Sequence, residues 1–116
     1  MSFEGSCHCG AVSFTAEADA PTSAVSCNCS YCRRKGSLLA FLPAEAVTIS
    51  ADPARLKTYQ FNKHRIEHQF CETCGTQAFA KAKRPDGAAM VAINLRCVPA
   101  IDLDALEIHK FDGAST

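Results

Sequence analysis

The chain has 116 residues, 47% of them hydrophobic and 21% charged, which fits one globular domain spanning residues 1–116. Twelve basic residues balance twelve acidic ones, so no electropositive surface supports nucleic-acid or membrane binding. The longest apolar runs, Leu38–Leu42 and Ala88–Ile93, fall far short of the roughly 20 residues of a membrane span, and the opening MSFEGSCHCG has no basic-then-apolar signal pattern. A cytoplasmic protein is expected.

In chain order, strand-like runs dominate. Ala11–Ala18 alternates and places Val12, Phe14 and Ala16 on one side. LLAFLP reads as a short buried strand. VTIS, LKTYQF and HRIEHQF alternate polar with apolar, and TQAFAKA and MVAINLR continue the pattern. Turn signals at 19–21, 52–53, 84–87 and 98–99 separate these runs. Helix is expected only at Ser30–Lys35 and around Leu103–Leu106. Short strands at this spacing indicate a mainly β fold, a sheet packed on itself with little helix.

Eight cysteines are the unusual feature, and seven stand in three tight clusters. Cys7 and Cys9 form C-x-C, Cys27, Cys29 and Cys32 form C-x-C-x-x-C, and Cys71 and Cys74 form C-x-x-C. Such close neighbours make poor disulfide partners and good chelators. On a strand, residues i and i+2 share a face, so C-x-C aims two thiolates at one ion. C-x-x-C does the same across a turn, and Gly10 and Gly75 suit the left-handed backbone such turns need. Thiolate clusters select zinc or iron–sulfur, and with no redox motif nearby zinc is favoured.

A closed structural zinc site takes four ligands, and a catalytic one takes about three and keeps a position open. Seven clustered cysteines divide into four (Cys7, Cys9, Cys71, Cys74) and three (Cys27, Cys29, Cys32). The triple joined by Cys97 is another division, although a lone apolar Cys is more often a core residue.

Three further features bear on chemistry. His64-Arg65-Ile66-Glu67-His68 matches the inverted zinc-protease motif, which needs a helix. The alternation around it reads as strand, where His64 and His68 stand about 13 Å apart, too far to share an ion. His68 is then expected near the four-cysteine site, donating to its surroundings, and His8 on the surface. Arg33, Arg34 and Lys35 follow the triple directly. They read either as a solvated turn or as a clamp for the carboxylates of a small thiol, with Arg33 and Arg34 the candidate substrate residues. Tyr31 either lines the same pocket or packs.

GSCHCG, CNCSYC followed by Arg33-Arg34-Lys35-Gly36, and HQFCETCG together resemble the glutathione-dependent formaldehyde-activating enzyme family, which also includes centromere protein V. The likeness continues through AINLR, IDLDAL and HKFDG, from Gly5 to Gly113. It implies a zinc-stabilised β-tent of short antiparallel strands holding two zinc ions per chain. By position, Cys7, Cys9, Cys71 and Cys74 match the structural ligands, and Cys27, Cys29 and Cys32 match the catalytic-type ligands. The activity implied is that of a carbon–sulfur lyase of the S-(hydroxymethyl)glutathione synthase type, acting on a small thiol such as glutathione and an aldehyde such as formaldehyde. The alternative is a non-catalytic zinc-stabilised binding module.

Overall fold

The computed structural model describes residues 1–61 and 65–115. Ten strands run in chain order: β1 (Phe3–Ser6), β2 (Val12–Ala16), β3 (Ser23–Cys27), β4 (Leu39–Pro43), β5 (Val47–Ala51), β6 (Leu56–Tyr59), β7 (Glu67–Cys71), β8 (Phe79–Lys83), β9 (Ala89–Asn94) and β10 (Glu107–Phe111). A single helical turn, α1 (Cys32–Lys35), follows β3, and short 3-10 turns include Leu95–Cys97, Leu103–Ala105 and Gly113–Ser115. Helical turns stand at the two expected places, 30–35 and near 103–106, and also at Ala44–Ala46, Pro53–Arg55, Leu95–Cys97 and Gly113–Ser115, where none is expected; the fold is mainly β as expected.

The strands form two sheets. The smaller has the order β1-β2-β5, and the larger β10-β3-β4-β9-β8-β7-β6. Every described pairing is antiparallel except β10 on β3, which is parallel and pairs Phe111 with Cys27. The short antiparallel strands expected are thus joined by one parallel pair. Parallel neighbours need a long crossover, and here the connection from β3 to β10 carries most of the larger sheet.

The core lies between the sheets and follows from alternation. Val12, Phe14 and Ala16 on β2 are buried to 2% exposure or less, in one apolar cluster with Phe79 and Ile93 of the larger sheet and Leu95 of the turn after β9. Gly5 on β1 is needed for this approach. A Cβ there would stand 2.5 Å from the Cys97 carbonyl oxygen and 2.6 Å from Phe14 Cζ. β4 departs from expectation: it is not uniformly buried, because Phe41 points outward and is 50% exposed. Among the described residues no helix is long and apolar enough to cross a membrane.

Candidate metal centres and the cavity between them

The four-cysteine cluster forms where the two sheets meet. Cys7 and Cys9 lie in the bend that leaves β1 of the smaller sheet, and Cys71 and Cys74 at the turn that leaves β7 of the larger. The expectation of a strand at Cys7–Cys9 is corrected here. The two thiols converge because the chain reverses: the Cys7 N–H donates to the Val12 carbonyl at 2.8 Å. The second turn is built the same way, with the Cys71 N–H on the Thr76 carbonyl at 3.0 Å and the Gly75 N–H on the Cys71 carbonyl at 2.9 Å. Gly10 and Gly75 hold φ of 85° and 77°, the left-handed conformation that glycine adopts without steric cost.

All four sulfurs lie within 4.8 Å of one another. Cys7 and Cys9 Sγ are 3.7 Å apart, and Cys9 and Cys71 Sγ 3.6 Å. A disulfide would need about 2.05 Å. Four thiolates on zinc at about 2.3 Å each stand about 3.8 Å from one another along the tetrahedron's edges. The donor set and its spacing therefore fit a tetrahedral metal ion. A hydrogen bond with Thr76 lowers the Cys74 thiol, and the neighbouring thiols Cys71 and Cys7 raise that of Cys9, as expected of four thiols sharing one small space.

The three-cysteine cluster is local. Cys27 ends β3, Cys29 sits in the following turn and Cys32 opens α1. Their sulfurs also lie within 4.8 Å of one another. The Cys29 N–H points at Cys27 Sγ at 3.4 Å, and the Cys32 N–H at Cys29 Sγ at 3.3 Å. Burial pushes the Cys29 thiol up, but the donors around it, chiefly from Cys32, outweigh that and bring it below the ordinary range. Burial raises the Cys32 thiol. Among the described residues no fourth His, Cys, Asp or Glu joins this group. Three soft donors with no fourth fit a metal ion that keeps one position open.

Cys97 joins neither cluster. It is buried in the core, its thiol donating to the Gln77 carbonyl at 3.7 Å. His8 is exposed. His64 lies outside the described residues. Glu67 and His68 stand on the strand β7, which removes the helix that the protease motif needs.

His68 also departs from expectation. Alternation along β7 puts it on the opposite face from Cys71, away from the four-cysteine site. Its ring packs instead on Tyr31 of the turn between Cys29 and Cys32, with centroids 4.3 Å apart, and on Phe61 at 5.3 Å. Tyr59, its register partner on β6, stacks on Tyr31 at 5.4 Å. Gln77 joins the group below: Tyr31 donates its hydroxyl to Gln77 Oε1 at 2.6 Å, and Gln77 Nε2 lies 3.4 Å from His68 Nδ1. Burial pushes the Tyr31 phenol up to about 12, so it keeps its proton and remains the donor. Burial, with Lys35 nearby, lowers His68 and favours the neutral ring.

Above these rings is an open cavity of about 350 Å³ lined by Tyr31, Lys35, Tyr59, Phe70 and Gly75. Its wall includes Tyr31 and Lys35, on either side of Cys32 in the chain, and Gly75, next to Cys74. Lys35 Nζ lies 5.8 Å from the Tyr31 ring centroid and 5.9 Å from that of Phe70. Arg33 and Arg34 stand exposed on the same turn and line no described cavity, and Arg34 donates to the Ser30 carbonyl at 2.7 Å. A larger cavity of about 860 Å³ lies elsewhere, between β5 and the β8–β9 hairpin; no cysteine lines either of the two.

The fold and site thus define a class: a small, mainly β protein organised around two thiolate clusters, each suited to a metal ion. A family model described as glutathione-dependent formaldehyde-activating enzyme matches residues 2–103, and the chain belongs to that family. A crystal structure of a Rhodobacter sphaeroides protein superposes with a TM-score of 0.76 at 26% identity, covering 91% of this chain and 99% of that one. The β-tent that the family resemblance implies is consistent with the mainly β fold and its cysteine clusters.

Proposed function

We propose that the protein is a carbon–sulfur lyase or synthase that joins a small thiol of the glutathione type to an aldehyde such as formaldehyde, in a cell compartment that keeps thiols reduced. The observation that carries this reading is the three-thiolate cluster, which no fourth His, Cys, Asp or Glu joins among the described residues, in a turn whose Tyr31 and Lys35 line a cavity. Cys27, Cys29 and Cys32 would hold zinc, and Cys7, Cys9, Cys71 and Cys74 a second zinc that ties the sheets together. Zinc at the three-cysteine site would supply Lewis acidity and lower the pKa of a thiol bound there.

The reaction itself balances simply. The substrate sulfur forms a bond to the aldehyde carbon, the carbonyl π pair moves to oxygen, and the thiol proton ends on that oxygen. The product is an S-hydroxymethyl thioether, and the reverse is the lyase step. The chain's residues bind and orient. Tyr31, Tyr59 and Phe70 give the cavity aromatic walls against which a substrate can pack. Lys35 is the cation in the wall, and among the described residues no acidic side chain pairs with it. We assign it the direct contact with a substrate carboxylate. Arg33 and Arg34, outside the cavity on the same turn, add longer-range attraction for a charged thiol.

Thermal shift with two thiols tests the reading. Glutathione and mercaptoethanol should both stabilise the zinc-loaded protein, since each binds only the native state. A Cys29→Ser variant should lose both effects. If neither thiol moves the wild type, the non-catalytic module takes its place.

A further inference from the structure

The segment that follows β10 wraps the three-cysteine turn from outside. Parallel pairing sets Phe111 beside Cys27, and the Asn28 N–H continues the ladder onto the Phe111 carbonyl at 3.2 Å. Asn28, the residue between the first two thiols, is then gripped at both ends of its amide. Its Nδ2 donates to Asp112 Oδ1 at 3.0 Å, and its Oδ1 accepts the Ala114 N–H at 2.9 Å. These two partners fix the amide's orientation, because a carboxylate only accepts and a backbone N–H only donates. Asp112 is itself held by the Ser115 hydroxyl on Oδ2 at 2.8 Å. Between these contacts the backbone of Gly113 lies directly against the cluster. A Cβ at 113 would stand 2.5 Å from Cys27 Sγ and 3.3 Å from Cys29 Cβ.

We propose that Asn28, Asp112 and Gly113 are positioning residues for the three-thiolate metal site: a clasp that sets the spacing of Cys27 and Cys29 and closes one side of the ion's surroundings. The inference rests on the reading that this cluster holds a metal ion. The physical need is specific. Cys27 and Cys29 lie at the end of a strand and in a turn, where backbone freedom spreads the thiolates. A third, distant segment that hydrogen-bonds the intervening residue removes that freedom before the ion arrives. Side chains that orient ligands in this way are worth about 10- to 100-fold in metal affinity when removed. Glycine is required at 113 because a Cβ there would run into Cys27 Sγ.

Cobalt(II) titration of the full chain tests this, read by thiolate-to-cobalt charge-transfer and d–d absorption. The wild type should take two equivalents in separable steps. Asn28→Ala and Asp112→Ala should each weaken the second step about 10- to 100-fold and leave the first unchanged. The unchanged first step also shows that the variant is folded. Gly113→Ala should shift the d–d envelope of the second site. The decisive pair exchanges the partners. Asn28→Asp alone sets two carboxylates against each other, so it should weaken the second step even though it adds negative charge near the ion. Asn28→Asp with Asp112→Asn reverses the 28–112 hydrogen bond, leaves a carboxylate oxygen to accept the Ala114 N–H as before, and should restore binding. Single variants with wild-type second-step affinity, or an exchange pair that fails to recover, would overturn the clasp. A wild type that takes only one equivalent would overturn the metal reading as well, which separates the two failures.

Discussion

Cys9 and Cys71 are 62 residues apart in the chain, and their sulfurs are 3.6 Å apart. One lies in the bend leaving the smaller sheet, the other at the end of a strand of the larger. The pair thus makes the four-cysteine centre a seam between sheets, whereas Cys27, Cys29 and Cys32 span six residues and join no distant parts by themselves.

Removing one seam ligand should therefore unfold the protein. Structural zinc in zinc-finger peptides contributes about 10–16 kcal/mol, and a whole domain's net stability is about 5–15 kcal/mol. Cys74→Ser or Cys71→Ser should abolish the cooperative thermal transition, measured by circular dichroism, and a strong chelator should do the same to the wild type. A soluble Cys74→Ser variant with an unchanged melting temperature would contradict the seam.

Cys29→Ser should behave differently. The local cluster closes no long loop, so the fold should survive while one of two zinc ions is lost. Elemental analysis beside a melting curve checks both halves. Loss of both ions, or of none, would contradict the division into four and three.

Gly5→Ala should destabilise by about 1–3 kcal/mol, the usual cost of overpacking a close-packed core. Its Cβ would meet a backbone carbonyl and the Phe14 ring, of which the carbonyl cannot move aside. The shift of the urea midpoint against the wild type measures it, and a midpoint left in place would show that β1 relaxes freely.

His68 gives a pH signature. Burial holds its folded pKa below the unfolded value near 6.5. The neutral ring is thus stable in the fold above about pH 6.5, and acid pulls the chain toward the unfolded state, which takes the proton first. Stability should fall as pH drops from about 6.5 through the lower folded pKa. His68→Phe, which keeps the ring stack, should lose that component. Denaturant midpoints of both proteins between pH 5 and pH 8 provide the comparison, and parallel curves would exclude the histidine as the source.

Much of this fold can be read from local pattern, and the exceptions have physical causes. Val12, Phe14 and Ala16 announce β2 because one face of that strand is wholly buried. β10 carries no such signal, since all five of its residues are exposed. Its role comes from pairing with β3, a relation no local window contains. The cysteine clusters were legible because chelation needs close spacing. Their shared surroundings were not. Tyr31, Tyr59, Phe61 and His68 converge from a turn, a strand, a loop and another strand, and Gln77 joins them as a polar residue in the otherwise apolar QAFA stretch. Lys35 was visible as the third cation of a run, but only the helical turn shows that it, rather than Arg33 or Arg34, lines the cavity.

That difference yields another comparison. Lys35→Ala should weaken the thermal shift given by glutathione and spare that given by mercaptoethanol, which has no carboxylate. Arg33→Ala with Arg34→Ala should have the smaller effect, and one that fades with added salt. Equal losses for both thiols in the Lys35 variant would mean that it supports the cavity rather than binding a carboxylate.

The central claim is that the three-thiolate site carries the chemistry, and exchange spectroscopy tests it most directly. Glutathione and formaldehyde form the S-hydroxymethyl adduct reversibly, so magnetisation transfer between free and adduct signals measures interconversion at equilibrium. The zinc-loaded wild type should speed that interconversion above the spontaneous rate, in proportion to protein concentration. Cys29→Ser, still folded and still holding the seam metal, should return it to the spontaneous rate. Exchange that is no faster with the wild type than without protein, or equally fast with Cys29→Ser, would contradict the account.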